Sequence, residues 1–165
     1  MNIEEKLKTL KRVNTERLPR SFVTTESKDR IESTYYFDDV ENIFYAEITF
    51  GELAQGPPHH AHGGAISSVL DEAMGASAWL NNFKVVTAKL EVEFLSSVKL
   101  HEKVFIKSWV KNAEGRKVWM KAKLCSSDGK KLYSKSAGLF VQLNDEQIKF
   151  LSINQKERTR EDLFF

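Results

Sequence analysis

The stretch from about 63 to 80 constrains the fold more than any other. Ile66, Val69, Leu70 and Ala73 recur at helical spacing and give a buried face, while Asp71 and Glu72 are the only charges in its body. Small residues crowd it: Ala65, Ser67, Ser68, Gly75, Ala76, Ser77 and Ala78. Asn81-Asn82 ends it. Four segments with the period-2 pattern of half-buried strands follow, at 85–95, 103–111, 116–125 and 131–143. A single apolar helix laid on a flat antiparallel sheet buries only one sheet face. A helix this slim suits a strongly curved sheet that wraps it as its core, so the expected class is α+β.

The segments before the helix fit that plan. Ile3, Leu7 and Leu10 place a short amphipathic helix within residues 2–12, with Val13 and Leu18 beyond; Pro19 interrupts it and 21–32 reads as loop. Tyr35 to Phe50 is aromatic and β-branched, and Asp38-Asp39 with Glu41-Asn42 supplies the turn of a hairpin. The expected organisation is a helical arm and loop over 1–33, one domain over 34–143 and a polar tail over 144–165. That tail, ending Leu163-Phe164-Phe165, is a short helix or a docking segment.

In the late strands, alternation sets Val86, Ala88, Leu90, Val92 and Phe94 against Thr87, Lys89, Glu91 and Glu93. A turn at 112–115 and a second at Asp128-Gly129 let the four strands run as a meander. Trp109, Trp119 and Phe105 then stand among lysines on the outer sheet face, with Trp109 opposite Trp119. Aromatics of that size on a solvent face suggest a protein contact.

Length and charge exclude several functions. A chain of 165 residues with 41% hydrophobic content can hold a real core, and a net charge of +2 gives no argument for nucleic acid. Cys125 is the only cysteine, so no internal disulfide forms. Residues 1–12 carry charges without the apolar run of a signal peptide, and no segment reaches the roughly 20 apolar residues of a membrane span. A cytoplasmic protein is the default expectation.

His62-Gly63-Gly64 opens the central helix, where unpaired N–H groups and the helix dipole favour an oxygen that is negative or becoming so. Asp71 lies about two turns in, on the same face as Gly64. His62 reads as a positioning residue. His59, His60 and His62 raise the thought of a metal, but no acidic or cysteine cluster completes a site, and none is expected. Glu72, rotated by about 100°, has a solvated or structural role.

Gly56-Pro57-Pro58, His62-Gly63-Gly64-Ala65, Asp71, Gly75 and the strand Val86 to Phe94 together resemble the hotdog-fold acyl-CoA thioesterases. The likeness is to the phenylacetic-acid-degradation type within the 4-hydroxybenzoyl-CoA thioesterase superfamily, and it covers roughly 35–143. The resemblance implies a hotdog fold, a homodimer joined edge to edge with active sites at the interface, and an acyl-CoA substrate with no cofactor. It implies that backbone N–H groups of Gly63, Gly64 or a neighbour form an oxyanion hole. It further implies that Asp71 acts as general base or nucleophile and that Thr87 holds the water or orients Asp71. Strand parity turns Thr87 away from the face that carries Val86 and Leu90, so a contact with Asp71 is expected between subunits. The aromatic outer face adds a possible tetramer. Some relatives carry an asparagine where this chain has Gly56, and His59-His60 departs from the family pattern. A non-catalytic module that binds acyl-CoA or acyl-carrier protein is the alternative; a hydratase is disfavoured by Asp71 after His-Gly-Gly.

Overall fold

A computed structural model describes residues 2–15, 21–24, 29–152 and 164. Expectations that fall on Leu18, Pro19, 153–163 and 165 lie outside the described residues. The elements are α1 (Ile3–Leu7), β1 (Lys11–Arg12), β2 (Ile31–Asp38), β3 (Ile43–Phe50), a short 3-10 turn (Glu52–Ala54), α2 (Gly63–Leu80), β4 (Val85–Phe94), β5 (Lys103–Glu114), β6 (Lys117–Cys125), β7 (Leu132–Gln142) and α3 (Asp145–Ser152). The seven strands form one antiparallel sheet in the order β1-β2-β3-β5-β6-β7-β4.

The order corrects the expected meander. Only β5, β6 and β7 run as one; β4 crosses over α2 and joins the far edge beside β7, while β3 pairs with β5. Helix α2 buries Ile66, Val69, Leu70, Ala73, Met74, Ser77 and Ala78 against the concave face, where Val104, Ile106, Val118, Met120, Leu124 and Phe140 meet it. The small residues at its flanks let the sheet close around it, as the composition of this stretch requires.

The N-terminal helix is shorter than its periodicity suggests. It stops at Leu7, and Lys11–Arg12 becomes a strand that pairs with Tyr36 and Phe37. Leu7 packs with Tyr45 and Phe105 on the convex face. Phe105, expected on a solvent face, is therefore fully buried. The hairpin turn is held by Asp38, whose Oδ1 accepts from the N–H groups of Val40 and Glu41 at 3.1 and 3.0 Å, while Lys6 Nζ reaches Oδ2 at 2.9 Å.

The two sheet edges differ. Beyond β1, Val13 forms a β-bridge with Phe164, whose ring also meets Phe37, in keeping with a docking tail. Edge strand β4 is ten residues long, and Val86, Phe94 and the following Leu95 are 48%, 53% and 47% exposed.

Two expectations of register fail, one at a bulge and one at a turn. In β4 the pairing shifts between Thr87 and Lys89, so Thr87 faces Phe140 and Leu90 faces Gly138, with Ala88 left over. In β5 it shifts between Val110 and Asn112; Trp109 stands opposite Lys121, and Trp119 opposite Asn112. The strands run through Glu114 and Lys117, so the turn is Gly115-Arg116 rather than 112–115, and the two tryptophans are diagonal neighbours, not direct partners.

Candidate functional site

The loop before α2 is pinned at both ends. His62 N–H donates to Ala54 O at 2.7 Å, Gly56 N–H to His60 O at 2.9 Å, and Ala61 N–H to Val98 O at 2.9 Å. This close approach explains Gly56: a Cβ there would lie 2.8 Å from His62 Cα. His59 turns its N–H to Gln55 Oε1, and its φ of 63° lies in the left-handed region. His60 Nδ1 lies 2.9 Å from Pro58 O. Both histidines therefore shape the loop. Among the described residues no group of three His, Cys, Asp or Glu side chains is arranged to hold a metal.

His62 is the N-cap of α2. Its Nδ1 accepts the Gly64 N–H at 2.8 Å, which places the proton of the neutral ring on Nε2. One of the expected oxyanion donors is thus already engaged within the chain. The N–H groups of Gly63 and Ala65 have no acceptor among the described residues. Phe94 lies against this first turn; a side chain at position 63 would begin 3.4 Å from its Cζ.

Along the same groove, Thr87 Oγ1 donates to Asp71 Oδ1 at 2.8 Å. The contact lies within one chain, which corrects the expectation of a contact between subunits. Its cause is the bulge at Ala88: one extra residue reverses the parity of β4, so Thr87 and Leu90 both turn toward α2. Asp71, Thr87, the first turn of α2 and Phe94 therefore share one groove between α2 and the exposed edge strand. Ser67 and Ser68 border it, but their hydroxyls donate back to Gly63 O and Ala65 O at 2.9 and 2.8 Å.

Glu72 points away from this groove. Its Oε1 accepts from Ser21 Oγ at 3.0 Å, and burial pushes its carboxyl above the usual carboxylate range, with Ser21 opposing and the Asp71 charge adding. Tyr45 packs under α1 on the convex face, Phe83 packs against the main core, and Trp79 Nε1 donates to Val85 O at 3.1 Å, so none of these aromatics lines the groove. Phe94 and the His62–Gly64 cap are the features that reading along the chain missed. A ring seven positions beyond Thr87 carries no local mark of its contact with Gly63.

The comparisons with known proteins agree with this architecture. A family model described as the thioesterase superfamily matches residues 59–133. Acyl-coenzyme A thioesterase THEM4 of Bos taurus is 37% identical over 97 residues, covering 59% of this chain and 40% of that protein. The chain spans between 39% and 57% of the length of the curated relatives it matches. A Streptococcus mutans protein solved bound to acetyl CoA superposes with a TM-score of 0.64 at 16% identity, covering 79% of this chain and 98% of that one. A hypothetical thioesterase of Streptococcus pneumoniae superposes at 0.62 and 13% identity, covering 78% and 100%. The chain has the α+β hotdog fold, and over residues 59–133 it carries the sequence pattern of the thioesterase superfamily.

Proposed function

We propose that the chain hydrolyses the thioester of an acyl-CoA to a free acid and CoA, with Asp71 as general base. The observation that carries this reading is the Thr87–Asp71 hydrogen bond, set in the groove that begins at the first turn of α2. An ionised carboxylate only accepts, so the threonine hydroxyl is the donor and its own lone pairs are left to hold a water beside Asp71. Water adds to the thioester carbon and gives its proton to Asp71. The oxyanion that forms is met by the N–H groups of Gly63 and Ala65, one such donor being worth about 3 kcal/mol. Collapse breaks the C–S bond, and the proton passes to the departing thiolate. His62 holds Gly64 and fixes the course of the first turn.

The names of the relatives support the substrate class. In the Streptococcus pneumoniae protein, an aspartate and a threonine sixteen positions apart were each changed to alanine in solved variants; Asp71 and Thr87 have the same separation. The apolar edge of β4 supports a homodimer joined along that edge, which would cover the open side of the groove.

Free-thiol release from a panel of acyl-CoAs tests the proposal. Asp71→Asn should lower the rate by about 10²–10⁴-fold, the usual contribution of a positioned base. Equal rates in the two proteins would remove Asp71 from the chemistry. Binding of acyl-CoA without release by either would assign a binding module instead.

A further inference from the structure

The convex face of the sheet holds a second depression, separated from Asp71 by the sheet itself. Cross-strand register lines up Lys107, Lys123 and Lys135 side by side on β5, β6 and β7. Neighbouring strands are about 4.8 Å apart, and like charges placed directly opposite cost stability. The next row reads Trp109, Lys121, Ala137 and Glu91. Ala137 is the one short side chain in that row, so it forms a floor between taller walls. The result is a cavity of about 550 Å³ whose lining includes Trp109, the lysines Lys111, Lys121, Lys123 and Lys135, and the two carboxylates of Glu91 and Glu93. Ligand sites commonly fall between about 300 and 1,000 Å³.

Its charges are unbalanced. Glu91 and Glu93 on the far rim are each paired, with Lys89 at 2.6 Å and Lys135 at 3.0 Å. Lys111, Lys121 and Lys123 have no ion-pair partner among the described residues. The Lys123 ammonium stands 6.0 Å from the centre of the Trp109 ring. A flat aromatic ring laid on the indole would therefore carry any attached phosphate into the lysine row. A second copy of this face would set lysine against lysine, which disfavours self-association through it.

We propose that this depression binds a phosphorylated aromatic ligand of the nucleoside diphosphate class, with the base on Trp109 and the phosphates between Lys121 and Lys123. The site is independent of the thioester groove.

Titration calorimetry of the full chain with ADP tests it, with adenosine, inorganic phosphate and CoA as parallel arms. Saturable ADP binding is expected, at least tenfold tighter than adenosine or phosphate alone and weakened by salt. Trp109→Leu and the pair Lys121→Ala/Lys123→Ala should each lower ADP affinity at least tenfold and leave basal thiol release unchanged. Asp71→Asn should leave ADP binding intact. CoA binding to Asp71→Asn that falls with the lysine pair, in a protein that takes no free ADP, would tie this face to the thioester substrate and overturn the proposal of an independent site. No saturable ADP binding, or binding unaffected by the lysine pair, would overturn the proposal. So would a concentration-dependent doubling of mass that Trp109→Leu abolishes in a protein that takes no ADP.

Discussion

Replacing Gly56 with alanine tests whether the loop before α2 is built around a close approach to His62. The new Cβ would sit 2.8 Å from His62 Cα, 3.1 Å from its Cβ and 3.2 Å from Cδ2. Carbon atoms settle at about 3.5–4.0 Å, so one side must move by roughly 0.7 Å or more. Neither side is free: His62 N–H is held by Ala54 O at 2.7 Å, Gly56 N–H by His60 O at 2.9 Å, and Gln55 bridges Ala61. Overpacking of this kind costs about 1–3 kcal/mol, and the loss of unfolded-state freedom returns about 0.4–1. A net loss of about 1–2 kcal/mol lowers Tm by about 2–8 °C in a chain of this size. Because His62 caps Gly64, thiol release should fall as well. Gly75→Ala is the control: its Cβ meets Phe140 Cε1 at 3.9 Å, an ordinary contact, in a helix interior where alanine gains up to about 1 kcal/mol. Thermal denaturation of both variants reads the difference. A Gly56→Ala protein as stable and active as the unmodified chain would refute the close-approach argument.

Thr87→Val keeps the shape and removes the hydroxyl donated to Asp71, a charge-assisted bond worth about 1.5–3 kcal/mol. Thiol-release kinetics should show kcat lowered about 10–150-fold with KM little changed, and Thr87→Ser should restore most of it. Burial raises the Glu72 carboxyl above 4.5, so the folded chain keeps that proton to higher pH than the unfolded one. Its stability contribution therefore declines as pH rises through and above the ordinary carboxylate range, and Glu72→Gln should gain on the unmodified chain over that rise in urea midpoints. A constant difference across that range would contradict the assignment. Val86→Lys places a charge on the exposed edge of β4; if the proposed edge-to-edge dimer forms, sedimentation should report twice the chain mass for the unmodified protein and the single-chain mass for the variant.

The parts legible along the chain are those with a local cause. Helix α2 runs from Gly63 to Leu80 as its periodicity, opening glycines and closing Asn81-Asn82 indicate. The strands follow their alternation to within a few residues. What escaped reading depends on partners far away. No residue near Phe105 announces that Leu7 will cover it, and nothing in 85–94 says that β4 crosses to the far edge. The bulge at Ala88 has no glycine to mark it, and it reversed an inference that rested on strict parity; the pairing of Trp109 with Trp119 failed because the turn falls at Gly115-Arg116. Helical spacing put Gly64 and Asp71 on one face and the family resemblance added Thr87; the contact between Thr87 and Asp71 rests on the bulge at Ala88.

Strand β4 joins fold and chemistry. Thr87 and Leu90 are three apart, so a regular strand can turn only one of them toward α2. The core needs Leu90, which packs against it with Val92, and the carboxylate of Asp71 needs a hydrogen-bond donor. The unpaired residue Ala88 lets the strand serve both. Such a bulge gives up ladder pairing, a loss that is least harmful in an edge strand with a neighbour on one side only. That same edge is where Phe94 reaches back over Gly63 and where Val86 and Leu95 stand exposed. A polar site at the sheet's centre would have to be carved out of the packed core around Leu70 and Met74. At the edge, Asp71 accepts the Thr87 hydroxyl beside a strand with one free side, which is where the proposed substrate would enter and the proposed second subunit would close the groove.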